Sequence, residues 1–110
     1  MKSEKFYLDF ILDCIRKIEN STSGINKETF LENQEKQSAV ILQLMLIGET
    51  SKKLSEGIKN KIHLPWKEIA GFRDMAIHDY VNLNLDTVWN TAVDRIPELK
   101  QNLYGFQNEI

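Results

Sequence analysis

From about Gln34 to Lys59 the apolar and small residues return every three or four positions. Val40, Ile41, Leu44, Ile47, Gly48, Ser51, Leu54 and Ile58 trace one helical face for about five turns. A chain of 110 residues that commits so much of itself to one amphipathic helix must bury that stripe against other helices. The rest of the chain keeps the same period. Tyr7, Phe10, Ile11, Cys14, Ile15 and Ile18 form a stripe on a first helix, which Ser3 can cap and Glu4 can favour in its first turn. Asn20 to Gly24 ends it with loop chemistry, and Asn26 can cap one or two turns bearing Phe30 and Leu31.

Downstream, Pro65 suits the first turn of a helix whose stripe is Trp66, Ile69, Phe72 and Met75 or Ala76. Val81 to Asn84 reads as a loop. Asp86 then caps or charges a helix that buries Val88, Trp89, Ala92, Val93 and Ile96. Pro97 would clash in a helix interior, so the chain kinks or restarts there before Leu99, Leu103 and Phe106 continue the stripe. Glycines number 5 and prolines 2, which suits helices and argues against a turn-rich β-sandwich. The sequence predicts an all-α fold: one domain over 1–110, an antiparallel bundle of four to five helices.

Two positions on the long helix stand out. Gly48 lies inside it, where glycine costs about 1 kcal/mol relative to alanine, and so predicts a close helix crossing. Glu49 has Lys52 and Lys53 three and four residues on. By itself that spacing reads as a solvated pair along the helix, contributing a few tenths of a kcal/mol.

Composition excludes several function classes. The net charge of −2 does not provide the basic surface of a non-specific nucleic-acid binder, though a local basic patch is compatible with it. A single cysteine, Cys14, points to a reducing cytoplasm and, among Ile11, Ile15 and Ile18, to a buried small hydrophobe. Residues 6–15 are interrupted by Asp9 and Asp13, so the expectation is a cytoplasmic protein without a signal peptide or membrane segment. There is no Gly-rich phosphate loop, and His63 and His78 have no metal-ligand spacing around them. No cofactor or metal is expected.

The chemistry is concentrated in Gly71-Phe-Arg-Asp-Met-Ala-Ile-His-Asp-Tyr80. Met75, Ala76 and Ile77 favour burial and anchor Arg73, Asp74, His78 and Tyr80 to a core. Arg73 and His78 are five residues apart, about 140° around an ideal helix, whereas Asp74 and His78 share a face. A bend near Ile77, or a cleft between two subunits, would bring the first pair together. Cleaving RNA without metal needs a base for the 2′-hydroxyl, an acid for the leaving oxygen and a cation for the phosphorane charge. Two copies of His78 could be base and acid, with Arg73 gripping phosphate and Asp74 orienting the imidazole. The competing reading of the same residues is an ion-pair network on a solvated helix face.

Arg73-x4-His78-x-Tyr80, preceded by Ile47-Gly-Glu49 and by Leu64-Pro-Trp-Lys-Glu-Ile-Ala-Gly71, resembles the HepT-like branch of the HEPN superfamily. Leu85-Asp-x-Val-Trp89 and Ile96-Pro-Glu-Leu99 fit the same pattern, so the resemblance covers nearly the whole chain. It implies a helical homodimer with the Arg73 and His78 motifs at the dimer cleft, and a metal-independent ribonuclease acting as a toxin on RNA. It also implies a minimal nucleotidyltransferase antitoxin, which would adenylylate Tyr80 and could assemble the dimer further. Glu49 and Asp74 would support the catalytic pair. The family more often has Asn after the arginine and Gly before the tyrosine; this chain has Asp74 and Asp79. Those carboxylates weaken attraction for RNA unless Arg73, Lys67 or the Lys52–Lys53 pair offsets them. They motivate the alternative of a non-catalytic dimeric helical module that binds a nucleotidyltransferase partner or a nucleotide.

Overall fold

The computed structural model describes residues 3–107; the outermost positions of the expected 1–110 domain, 1–2 and 108–110, lie outside the described residues. Helix α1 spans Glu4–Thr22, with the Ser3 hydroxyl accepting from Phe6 N at 3.1 Å. Its stripe of Leu8, Ile11, Cys14, Ile15 and Ile18 is fully in the core. Each such side chain contributes about 1.5–3 kcal/mol by leaving water. Burial pushes the Cys14 thiol up to about 11. Phe10 departs from the expected stripe and is exposed. It stands one residue, about 100°, before Ile11, off the packed face.

The six-residue α2, Lys27–Glu32, starts where Asn26 accepts from Thr29 N, and it drives Phe30 into the core against Trp89, ring centroids 5.3 Å apart. Asn33 ends α2 and caps α3, Gln34–Ser51. This helix stops short of the expected Lys59. Leu54 turns into the core, and Ser55 caps a separate α4, Glu56–Lys61, by accepting from Ile58 N. The Glu4 carboxylate fastens the break, accepting from Ser55 N at 2.9 Å and from Ser55 Oγ at 2.7 Å. A serine offering its side chain to the next turn competes with helix continuation, which explains why the apolar period runs on while the helix does not.

Helix α5, Trp66–His78, follows Pro65; the Trp66 indole donates to the carbonyls of Lys59 and Ile62 and ties α5 to α4. After a single 3₁₀ turn, Tyr80–Asn82, Asn84 caps α6, Leu85–Asn90. Asp86 sits in the first turn and pairs with Lys27 at 2.7 Å. A π turn, Thr91–Arg95, carries α6 directly into α7, Ile96–Gln107. The disturbance expected at Pro97 takes this form. Pro97 has no N–H and its ring would strike the carbonyl of Val93; widening the preceding turn, where Ile96 N bonds Thr91 O, admits it without ending the rod.

The described residues are helical and carry no strand. α3 is the central helix, with α1 on one side and α5 on another, and the α6–α7 rod closes the bundle against α1. The four long elements correspond to the expected bundle, with α2 and α4 as short connectors. No helix is long and apolar enough to cross a membrane among the described residues.

Candidate active site on helix α5

Helix α5 faces α3 through Ile69 and Phe72, both half-buried, and Ala76, fully buried. The approach is closest at Gly48. A Cβ there would lie 2.7 Å from Arg73 Cβ and 2.8 Å from Ile69 O, so only glycine fits, as its place in the helix predicts. The stem of Arg73 therefore rests on the backbone of α3. Met75 and Ile77, by contrast, are 52% and 46% exposed. Ile69, Phe72 and Ala76 share the inward face at three- and four-residue spacing, and Met75 and Ile77 flank Ala76 by about 100° on either side. Only one of the three can face the core.

The crossing sets four charges beside one another. Arg73 Nε lies 2.7 Å from Glu49 Oε2; both atoms are buried, and the N–H is not aimed at the oxygen, so the contact is an ion pair and not an aligned hydrogen bond. Arg73 Nη1 donates to Asp74 Oδ1 at 3.0 Å, and Lys52 Nζ donates to the same oxygen at 3.0 Å. Those two donors, Lys52 foremost and Arg73 next, hold the Asp74 carboxyl below the usual carboxylate range. Glu49 and Lys52 thus reach across to α5 instead of pairing along α3. Lys53 takes a third direction, over the Tyr7 ring at 5.7 Å. Asp74 is turned to Lys52 and Arg73, and among the described residues it makes no hydrogen bond with His78.

His78 is the last residue of α5 and is exposed. The helix runs unbroken from Arg73 through His78, so no bend brings the two together. Asp79 ends it at φ −148°, ψ 47°, its N–H returning to Met75 O, and its side chain accepts from Asn82 Nδ2 at 2.8 Å. Tyr80 opens the 3₁₀ turn and is 49% exposed, beside Val81 at 92%. The chain thus offers a fixed cation, an accessible imidazole and an accessible phenol on one helix and the turn after it. Among the described residues no three His, Cys, Asp or Glu side chains are grouped to hold a metal ion.

Of the cations that the sequence offers to offset Asp74, the structure brings Lys52 and Arg73 to its carboxylate, while Lys53 turns to Tyr7. Lys52 is the C-cap of α3, four residues after Gly48 and so near the crossing. The sequence also gave no sign of an apolar cavity of about 240 Å³ between α3, α5 and the π turn, lined by Leu44, Ile47, Ile69, Phe72 and Ile96. Arg95 and Glu68, 3.5 Å apart, also border it.

Comparison with known proteins adds to this geometry. A family model described as "Ribonuclease HepT-like" matches residues 11–104. A Thermococcus cleftensis protein named "Probable ribonuclease HepT" is 40% identical over 101 residues, covering 90% of this chain and 91% of its own. "Putative RNase MJ1216" of Methanocaldococcus jannaschii is 41% identical over 98 residues, covering 88% and 81%. A Caldanaerobacter subterraneus relative, also named as a putative RNase, is 36% identical over 102 residues, covering 92% and 91%. No solved structure matches.

Proposed function

The chain belongs to the HepT-like ribonuclease family, and from that premise we propose that it is a metal-independent endoribonuclease acting as a homodimer. The observation that carries this reading is the arrangement at the end of α5: Arg73 held against α3 at the Gly48 crossing, with His78 and Tyr80 left accessible beyond it. The uncovered apolar groups Met75, Ile77 and Val81 lie beside these residues and support a second copy docking here. An unbent α5 keeps Arg73 and His78 of one chain in different directions, and a two-fold cleft would collect both directions.

In that cleft one His78 imidazole takes the proton of the ribose 2′-hydroxyl, and the 2′-oxygen attacks the adjacent phosphorus. The 5′-oxygen leaves with a proton from the second copy's imidazolium, giving a 2′,3′-cyclic phosphate and a 5′-hydroxyl. Arg73 neutralises the phosphorane charge, its stem already immobilised and so requiring little reorganisation. Glu49 fixes the guanidinium through Nε.

The same reading makes the chain the toxin of a pair whose antitoxin is a minimal nucleotidyltransferase. The Tyr80 phenol oxygen would attack the α-phosphorus of ATP, taking up AMP and releasing pyrophosphate. The adduct, two residues from His78, would fill the cleft with a bulky anion and repel RNA. The test is induced expression of wild type, His78→Ala and Tyr80→Phe, each with and without the antitoxin. Wild type should arrest growth and be rescued, and His78→Ala should be harmless. Tyr80→Phe should arrest growth and resist rescue. Arrest by His78→Ala equal to wild type would overturn the reading. The second reading, a dimeric module that binds nucleotidyltransferase or nucleotide without cutting RNA, is favoured by one observation: Glu49 and Asp74 both engage the Arg73 charge.

A further inference from the structure

We propose that Asp74 competes with RNA phosphate for the gripping edge of Arg73, and that Lys52 is the positioning residue that relieves this competition. The inference rests on the ribonuclease reading above. A guanidinium grips a phosphate best through two nitrogens on one edge. Here Nε is buried against Glu49 and Nη1 uses one of its two N–H groups on Asp74, so a phosphate at either edge of the fork competes with a carboxylate. Bidentate contact is strongest when the competing carboxylate moves away. Glu49 is the poorer candidate, since its Oε2 and Arg73 Nε are buried together at the crossing. Asp74 is about half exposed and already shares its Oδ1 with Lys52 at 3.0 Å.

Lys52 projects from α3 one turn beyond Gly48, so the crossing that fixes Arg73 also fixes its distance from Asp74. When phosphate takes the Nη1–Nη2 edge, Asp74 turns wholly to the ammonium, and its negative charge stays compensated beside the incoming anion. Without Lys52 the carboxylate would keep hold of Nη1 and stand uncompensated next to the phosphate. Lys52 therefore acts through Asp74, and its influence should disappear when Asp74 is neutral. A lysine that simply touched phosphate would matter equally in both backgrounds.

The test is a double-mutant cycle on Lys52→Ala and Asp74→Asn, with Lys52→Arg as the conservative variant. Two readouts are used: the Kd for a mixed-sequence 2′-O-methyl oligoribonucleotide, and KM and kcat on an unmodified RNA of the same sequence. Exposed charge contacts of this kind change affinity by about two- to fivefold. Lys52→Ala should raise Kd and KM by about that factor with kcat little changed, Asp74→Asn should lower both, and Lys52→Arg should restore wild-type values. In the Asp74→Asn background Lys52→Ala should have little effect. Equal effects of Lys52→Ala in both backgrounds, with wild type cleaving RNA, would overturn this inference alone. Absence of cleavage by wild type would overturn the ribonuclease reading and this inference with it.

Discussion

The two ends of the Arg73–Tyr80 segment are held in opposite ways. At Arg73 the side chain is packed on the backbone of α3, its guanidinium lies between two carboxylates, and a single methyl group added at Gly48 would collide with it. Five residues on, His78 ends the helix in solvent, followed by the exposed Tyr80 and Val81. Under the proposed function, the difference matches the work each end would do. A cation that stabilises charge gains from being fixed before substrate arrives. A proton-transfer group and a modifiable phenol must be reachable, by substrate in one case and by another enzyme in the other. The same bundle provides both because the close approach lies at Ile69 and Arg73, whereas the residues after Ala76 are exposed.

This contrast predicts that damage at the two ends will look different. The largest effect is expected at the open end. His78→Ala should lower the RNA cleavage rate by about 10²- to 10⁴-fold with the thermal midpoint unchanged, because the side chain is exposed. A large drop in midpoint would contradict the contrast. The next effect belongs to the fixed end. Gly48→Ala should destabilise the fold by about 1–3 kcal/mol through overpacking, read by denaturant unfolding, and should lower cleavage as well by displacing Arg73. A neutral Gly48→Ala would mean that the crossing is not tight.

Smaller still is Glu49→Gln, which keeps the shape and removes the charge at Nε. About a threefold loss in kcat is expected, within the range of a partly exposed ion pair. The smallest effect concerns pH. The Asp74 carboxyl is held low by Lys52 and Arg73 in the folded state. Its stabilising contribution is therefore present above the ordinary carboxylate value and lost as pH falls through the lowered one. Asp74→Asn should slightly flatten the acid limb of stability against pH below about 4, measured by melting at a series of pH values.

Much of this was legible before any coordinates. The Ser3 and Asn26 caps, the buried stripe of α1 and the close approach at Gly48 are local consequences of residue type and spacing, and the structure has each of them. The break after Ser51 was not legible, because the apolar period continues through it to Leu54 and Ile58. What ends the helix is a serine cap fastened by Glu4, 51 residues away in sequence. Met75 and Ile77 depart from the sequence expectation for a related reason. Hydrophobicity favours burial for both, yet the face of α5 that meets α3 runs through Ile69 and Arg73 at Gly48, and helical spacing from these residues turns Ala76, not Met75 or Ile77, inward. Glu49 and Lys52 are a mixed case: spacing along α3 pairs them with each other, whereas the crossing gives each a partner on α5, in keeping with the support expected of Glu49 and the offset of Asp74 expected of the Lys52–Lys53 pair.

The most direct test of the account is cleavage of total cellular RNA by purified wild-type protein and by His78→Ala, each with and without EDTA, after mass measurement shows no AMP on Tyr80. The account predicts cleavage by wild type that persists in EDTA and disappears in His78→Ala. Intact RNA in every lane, or cleavage by His78→Ala equal to wild type, would contradict it.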